Sequence, residues 1–186
     1  MASNVSGNIH GARQMIKCTD KFAFFYTEWP SNFAKTSFTW EAFGEKPTFF
    51  CTEQAFMWAK AKYFGDETSA FKIIIEQKSP MACKQLGRLV ENYDDKKWSL
   101  VRYSFMHDVN YEKYKQDLEL RAKLLNPQFD NKTFVEASPT DRIWGVGLAQ
   151  DDQKIEDERN WRGQNLLGKV ITQVRAEIIH DFGITI

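Results

Sequence analysis

Polar residues set inside apolar stripes or in Gly/Trp-rich loops carry the most information, because burying them without a partner is costly. Glu53 is the first of these. It follows an apolar run and opens an apolar helix, TEQAFMWAKAKYF. A helix N-terminus favours negative charge, so this carboxylate is expected to stay ionised. A fixed, half-buried carboxylate can stabilise a developing cation or activate water. The ordinary alternative is a first-turn Glu that satisfies the helix end. Lys60 lies seven residues further on, two turns up the same face, so both side chains can point into one cleft. A lysine between Ala59 and Ala61 is only partly screened and can be a nucleophile toward a carbonyl. Otherwise it snorkels to water.

The densest segment is Phe134 to Leu148, FVEASPTDRIWGVGL. A short strand leads to Glu136, a Ser138-Pro139 turn follows, and then come Asp141, Trp144, Gly145 and Gly147. Two carboxylates five residues apart at a strand-to-loop junction suit a site where one does chemistry and the other orients it. The glycines let backbone approach a ligand, and the indole can pack on a sugar or base. Two arginines offer charge. Arg88 follows Leu86-Gly87 near a helix end, and Arg102 shares a helix face with Trp98 and Met106 at i, i+4, i+8. An arginine between Trp and Met suits a ligand with a phosphate and a flat ring. In the alternative, both arginines cover the core edge and bond to helix carbonyls. The stretch WRGQNLLG, Trp161 to Gly168, leads into the last helix, whose first N–H groups can hold an anion. Plain N-capping by Asn165 is the simpler expectation there.

The patterning supplies elements to position these groups. Ile16 to Phe25 reads as a first strand with blurred alternation. Tyr26 to Lys35 carries turn chemistry around Pro30-Ser31-Asn32. Phe38 to Phe43 and Thr48 to Cys51 are short β-prone runs that fit a hairpin. Helical periodicity then predicts a helix N-capped by Thr52 and ended by Gly65, and a second from Glu67 to Gln77. A third begins at the Ser79-Pro80 cap and runs to about Val90. A fourth covers Lys96 to Val109, and a fifth covers Tyr111 to Leu125. Thr133 to Ala137 reads as a buried strand, and a last helix begins near Asn165 with Val170, Val174 and Ile178 on one face. The sum is α+β: one compact, mainly helical domain with a small sheet.

The chain has 186 residues, which makes one domain the default, with roughly 70% of the unfolded surface buried on folding. The 15 Phe, 6 Trp and 6 Tyr exclude a disordered chain. Lys plus Arg number 25 and Asp plus Glu number 25, which argues against a partner held mainly by long-range charge. The three cysteines, Cys18, Cys51 and Cys83, form no CxxC pair and lie far from the three histidines. No metal, no cofactor and no disulfide framework is expected, and a reducing, cytoplasmic compartment is the simplest reading. No apolar run is long enough for a membrane span, and MASNVSGNIHGARQ lacks the apolar centre of a signal peptide. Residues 1–20 read as a flexible N-terminal arm before a domain at 21–186.

Six ordered motifs resemble the NADAR (YbiA-like) family over residues 22 to 178. They are Ser31-Asn32-Phe33, then Thr52-Glu53-Gln54-Ala55-Phe56 through Ala59-Lys60-Ala61, then Leu86-Gly87-Arg88. Trp98, Arg102 and Met106 follow, and then Val135 to Pro139 with Asp141, Ile143-Trp144-Gly145 and Gly147-Leu148. The last is Trp161-Gly163-Asn165-Leu167-Gly168 with Val174-Arg175. The resemblance implies an N-glycoside hydrolase. Members of the family cleave phosphoribosylamino-pyrimidine intermediates of riboflavin synthesis or remove ADP-ribose from guanine in nucleic acid. By motif position it implies Glu53, Asp141 and Lys60 as catalytic groups, Lys60 through a Schiff base with a ring-opened ribose. It implies Asn32, Arg88, Trp98, Arg102, Met106, Glu136, Trp144, Gly145 and Asn165 as substrate contacts. ADP-ribosyl-guanine in DNA or RNA is the first expectation and a riboflavin intermediate the second. A module that binds ADP-ribose without cleaving it, and a structural interaction domain, are the readings from other classes. Gln54 stands where the family has His, Pro30 where it has an aliphatic residue and Asp117 where Asn is common.

Overall fold

A computed structural model describes residues 16–184. The expected arm at 1–20 lies outside the described residues as far as residue 15, and Lys17–Cys18 form strand β1. Four further strands follow: β2 (Phe22–Phe25), β3 (Phe38–Thr39), β4 (Thr48–Phe49) and β5 (Thr133–Glu136). The helices are α1 (Thr52–Tyr63), α2 (Glu67–Ile75), α3 (Pro80–Gly87), α4 (Asp95–Gln116), α5 (Leu118–Leu124) and α6 (Leu166–Asp181). The α+β expectation holds. No described helix is long and apolar enough to cross a membrane.

One sheet has the order β1-β2-β5, and β3 and β4 form a separate hairpin. The strand expected over 16–25 is in fact the antiparallel pair β1 and β2. Strand β2 reads Phe-Ala-Phe-Phe because both its faces are buried, which is why its alternation is blurred. Phe22 and Phe24 face a smaller core with Val135, Val146 and Leu148, whereas Ala23 and Phe25 face the main helical core. Parallel pairing of β2 with β5 sets Phe25 beside Glu136, so the sheet places this carboxylate at its end.

Helix α1 is the centre of the fold and packs against α2, α3 and α4. Its residues from Thr52 to Ala59 are all buried, so it shows little amphipathic bias. Helix boundaries differ from expectation at several points, with α2 and α3 ending at Ile75 and Gly87 rather than at Gln77 and about Val90. The N-cap of α1 is Cys51, whose Sγ accepts from Gln54 N at 3.4 Å, and Thr52 is already helical. The expected break at Asn110 is absent. Asn110 is buried and donates to the Met106 carbonyl one turn back at 2.9 Å, so α4 runs on. The break falls at Asp117, whose carboxylate caps α5 through Leu120 N at 3.0 Å. Gln54 fixes the start of α1 by accepting from Phe50 N and donating to Ile73 O, each at 2.9 Å.

Candidate active site

A cavity of about 290 Å³ opens between the first two turns of α1, α3, the turn at Ser31–Phe33 and the loop after β5. It gathers Asn32, Glu53, Lys60, Arg88, Trp98, Glu136, Asp141 and Trp144, which come from regions as much as a hundred residues apart. Local bonds fix the backbone that carries the carboxyls and, at Asp141, the carboxylate itself. Glu53 N donates to Asn32 O at 2.9 Å, which ties the turn to the helix start. Asp141 Oδ1 accepts from Ile143 N and Trp144 N, both at 2.8 Å, and Asp141 N donates to Ser138 Oγ at 3.1 Å. Glu136 ends β5, and its N–H donates to the Asn165 amide oxygen at 3.0 Å.

Burial dominates the electrostatics. Glu53 was expected to stay ionised at the helix N-terminus, and this is corrected: burial pushes it up to about 7. The negative charge of Asp141 adds to the rise, and Lys84 and Arg88 oppose it. Loss of water around the charge outweighs what a helix end and two cations return. Burial likewise raises Glu136 to about 8, helped by Asp141 and Glu53 and opposed by Lys84. The Glu136 Oε2 atom is buried with no hydrogen-bond partner. Two carboxyls that titrate near neutrality beside a third carboxylate can hold and pass a proton. Lys60 Nζ donates to the Gly87 carbonyl at 2.8 Å and lies 3.9 Å from the centroid of the Tyr93 ring. Burial lowers its pKa, opposed by Asp95.

Aromatic rings wall the cavity. Phe56 packs edge-on to Trp144 at 5.2 Å and tilted against Trp98 at 5.2 Å, so both indoles are fixed. Lys84 is a cavity residue that the sequence reading did not single out. It stands one turn before Arg88 on α3, and this i, i+4 pair of cations was the available signal.

Four expected contacts lie elsewhere. Met106 is fully buried in the main core, because eight residues of helix separate it from Trp98 by about 12 Å. Arg102 does not line the cavity. Its Nε is buried without a partner, and its charge is felt by the Tyr93 hydroxyl. Gly145 is a packing residue: a Cβ there would meet Glu136 O and Ser138 Cβ, each at 2.9 Å. Asn165 occupies the N-cap position of α6, as expected, but makes no side-chain cap bond and does not touch the cavity. It has φ 53°, and its side chain spans β5, donating to Phe134 O at 3.0 Å while accepting from Glu136 N. A side chain used across elements in this way is unavailable to its own helix end.

Relatives share this frame. The chain is 44% identical over 132 residues to Protein irg-1 of Caenorhabditis elegans, a match covering 70% of this chain and 61% of that protein. The chain therefore spans less than two thirds of the worm protein's length. It is 37% identical to N-glycosidase R617 of Acanthamoeba polyphaga mimivirus, over 86% of this chain and 97% of that one. The solved structure of YbiA from E. coli superposes with a TM-score of 0.68 at 25% identity, covering 94% of each chain. The model of the NADAR domain matches residues 17–179, which takes in every wall of the cavity, and this chain belongs to the NADAR domain family.

Proposed function

We propose that this protein is an N-glycoside hydrolase that cuts the C–N bond between a phosphate-bearing ribose and a base or amine, with ADP-ribose on guanine in nucleic acid as its substrate. The observation that carries this reading is the meeting of two buried, near-neutral carboxyls, Glu53 and Glu136, with Lys84 and Arg88 in one aromatic-walled cavity. The printed names of the mimivirus protein and of N-glycosidase Npun_R5314 from Nostoc punctiforme, 26% identical over 87% of this chain, support the activity class.

In this reading Lys84 and Arg88 hold phosphate, and Trp98 and Trp144 pack the flat groups. Glu136, protonated at neutral pH, gives its proton to the leaving nitrogen as the C1′–N bond breaks. The bonding electrons leave with the base, and positive charge grows on the sugar beside Asp141 and Glu53. Glu53 takes a proton from water as the water oxygen bonds to C1′. In a variant of this path the neutral Lys60 amine bonds to C1′ as the C1′–N bond breaks and the protonated base leaves. The C1′–O4′ bond then opens, O4′ taking the amine's proton, to give the Schiff base, which water hydrolyses to ribose and free Lys60. Its lowered pKa and its place in the cavity favour that variant.

The choice of a substrate larger than a riboflavin intermediate rests on shape. The cavity continues into a compartment of about 730 Å³ that shares Lys84, Arg88 and Asp141 and reaches Tyr26, Met81 and Arg142. The test offers the pure protein an oligonucleotide bearing ADP-ribosyl-guanine and, separately, a phosphoribosylamino-pyrimidine, with products read by mass spectrometry. ADP-ribose release is expected from the first. Glu53→Gln is expected to stay folded, bind ADP-ribose and lose turnover. Release of neither ribose species rules out the hydrolase, and tight ADP-ribose binding without turnover identifies a binding module instead. Borohydride added during turnover is expected to leave a ribosyl adduct on Lys60; without one, the attack belongs to water.

A further inference from the structure

Asn32 holds an acceptor that nothing in the described protein uses. It is 7% exposed, it lines the cavity, and its Oδ1 is buried with no hydrogen-bond partner. A buried carbonyl left unpaired is costly, so such groups in native proteins call for a reason. The backbone that carries it is also held firmly. Ser31 N donates to Glu28 O at 2.9 Å, Ala34 N to Ser31 O at 3.1 Å, and Phe33 N to Ser31 Oγ at 3.2 Å, which closes the turn on both sides of Asn32. The Asn32 backbone carbonyl then accepts from Glu53 N at 2.9 Å, which ties the turn to the start of α1, and both residues line the cavity. The other unpaired cavity atom, Glu136 Oε2, belongs to a carboxyl that carries its own proton at neutral pH. The cavity lining thus holds one unpaired acceptor at Asn32 and one proton donor at Glu136. Its complement is a ligand with a hydroxyl next to the reacting carbon and a basic atom leaving from it.

We infer that the Asn32 amide oxygen accepts a hydrogen bond from the 2′-hydroxyl of the substrate ribose and makes the protein selective for ribosyl over 2′-deoxyribosyl groups. The inference rests on the proposed glycosidase activity in taking the bound sugar to be a phosphorylated pentose whose C1′ lies at Glu53. The 2′ position is assigned because it adjoins C1′, the carbon that Glu53 serves, and Asn32 is tied to Glu53. A site built to bond a hydroxyl rejects the analogue that lacks it far more strongly than an apolar pocket rejects an extra methylene.

Calorimetric binding of ribose 5-phosphate and 2-deoxyribose 5-phosphate tests this without requiring turnover. The unmodified protein is expected to bind the ribose form roughly tenfold more tightly. Asn32→Leu is expected to bind the two alike, and Asn32→Asp, which keeps an acceptor, to retain the preference. Equal binding of both sugars by the unmodified protein, binding of neither at millimolar concentration, or a preference that survives in Asn32→Leu overturns the inference. Should Asn32→Leu fail to fold, the unmodified protein and Asn32→Asp still decide it. A turnover assay on matched ribosyl and 2′-deoxyribosyl N-glycosides separates the two claims. The ratio of kcat/KM between them, compared across variants, cancels the sugars' intrinsic reactivities. No cleavage with intact sugar discrimination defeats the glycosidase reading alone. Cleavage with a ratio unchanged by Asn32→Leu defeats the Asn32 assignment alone.

Discussion

Glu136 sits where a carboxyl is costly to the fold and, in the proposed mechanism, useful to the reaction. Its native pKa, about 8, lies above the ordinary value of 4.5, so the folded chain keeps a proton that the unfolded chain has shed. The stabilisation this brings is complete below the unfolded pKa and is lost as pH rises through about 8. In the proposed mechanism the same proton is the one offered to the leaving group. The kcat/KM of the enzyme is therefore expected to fall as pH rises through about 8. Glu136→Gln is expected to lose that limb along with ~10²–10⁴-fold of activity. The variant is also expected to gain ~1–3 kcal/mol over the parent at pH 8.5, and less at pH 5, in urea unfolding. A full alkaline limb in Glu136→Gln moves the acid role to Glu53. Glu53, Lys60, Glu136, Asp141 and Trp144 were legible because each breaks a local pattern: a charge in an apolar stripe, or a Trp among glycines. Lys84 breaks none. It looks like any solvated lysine on a short helix, and only the folding of α3 over the carboxylates turns it inward.

At the scale of elements, the site depends on a crossing of backbones that periodicity does not encode. Asn165 bonds to both Phe134 O and Glu136 N, and Gly163 lets the approach to α6 lie against the loop after β5. A Cβ at Gly163 would meet Gly145 O at 2.2 Å and Arg142 Cα at 2.8 Å, both backbone atoms with little room to yield. Gly163→Ala is expected to cost ~1–3 kcal/mol or more in thermal unfolding. Because the displaced loop carries Asp141 and Trp144, it is also expected to raise KM. Gly44→Ala, which meets nothing within 4 Å, is the control for backbone strain, with φ +76°. A KM unchanged in Gly163→Ala would show that the loop holds its shape without this contact. The helices were legible where a cap or a Pro marks their ends, as at Ser79-Pro80. They were misread at Asn110, whose side chain bonds back to its own helix; at Asn165 the start was read correctly, but the side chain bonds to a strand instead of capping. The same amide thus extends one helix and abandons the end of another, and only the tertiary neighbour decides which.

The whole molecule balances buried charges of both signs. Lys113 on α4 is fully buried, with Nζ donating to Trp29 O at 3.3 Å and lying 4.7 Å from the Tyr114 ring centroid. Burial pulls its pKa down to about 7 from 10.5, and Asp117 and Cys51 oppose the fall. The unfolded chain holds this proton up to about 10.5, the native chain only to about 7. The unfolded state therefore binds more protons across that window, and stability rises with pH through it. Below about 7 the cost of the buried cation is complete. The site carboxyls act oppositely, because Glu53 and Glu136 lose their contribution as pH climbs from 4.5 to about 7 and about 8. The two dependences can be separated, since Lys113 lies outside the cavity and a hydrophobe of similar size fits its place. Lys113→Met is expected to stabilise the protein, and by ~1–3 kcal/mol more at pH 6 than at pH 9, in urea unfolding at both values. Its kcat/KM profile is expected to match the parent's. An equal gain at both pH values would mean that Lys113 is charged in the native state throughout, with Trp29 O and its neighbours solvating the ammonium. A changed rate profile would instead tie this buried amine to the chemistry of the site.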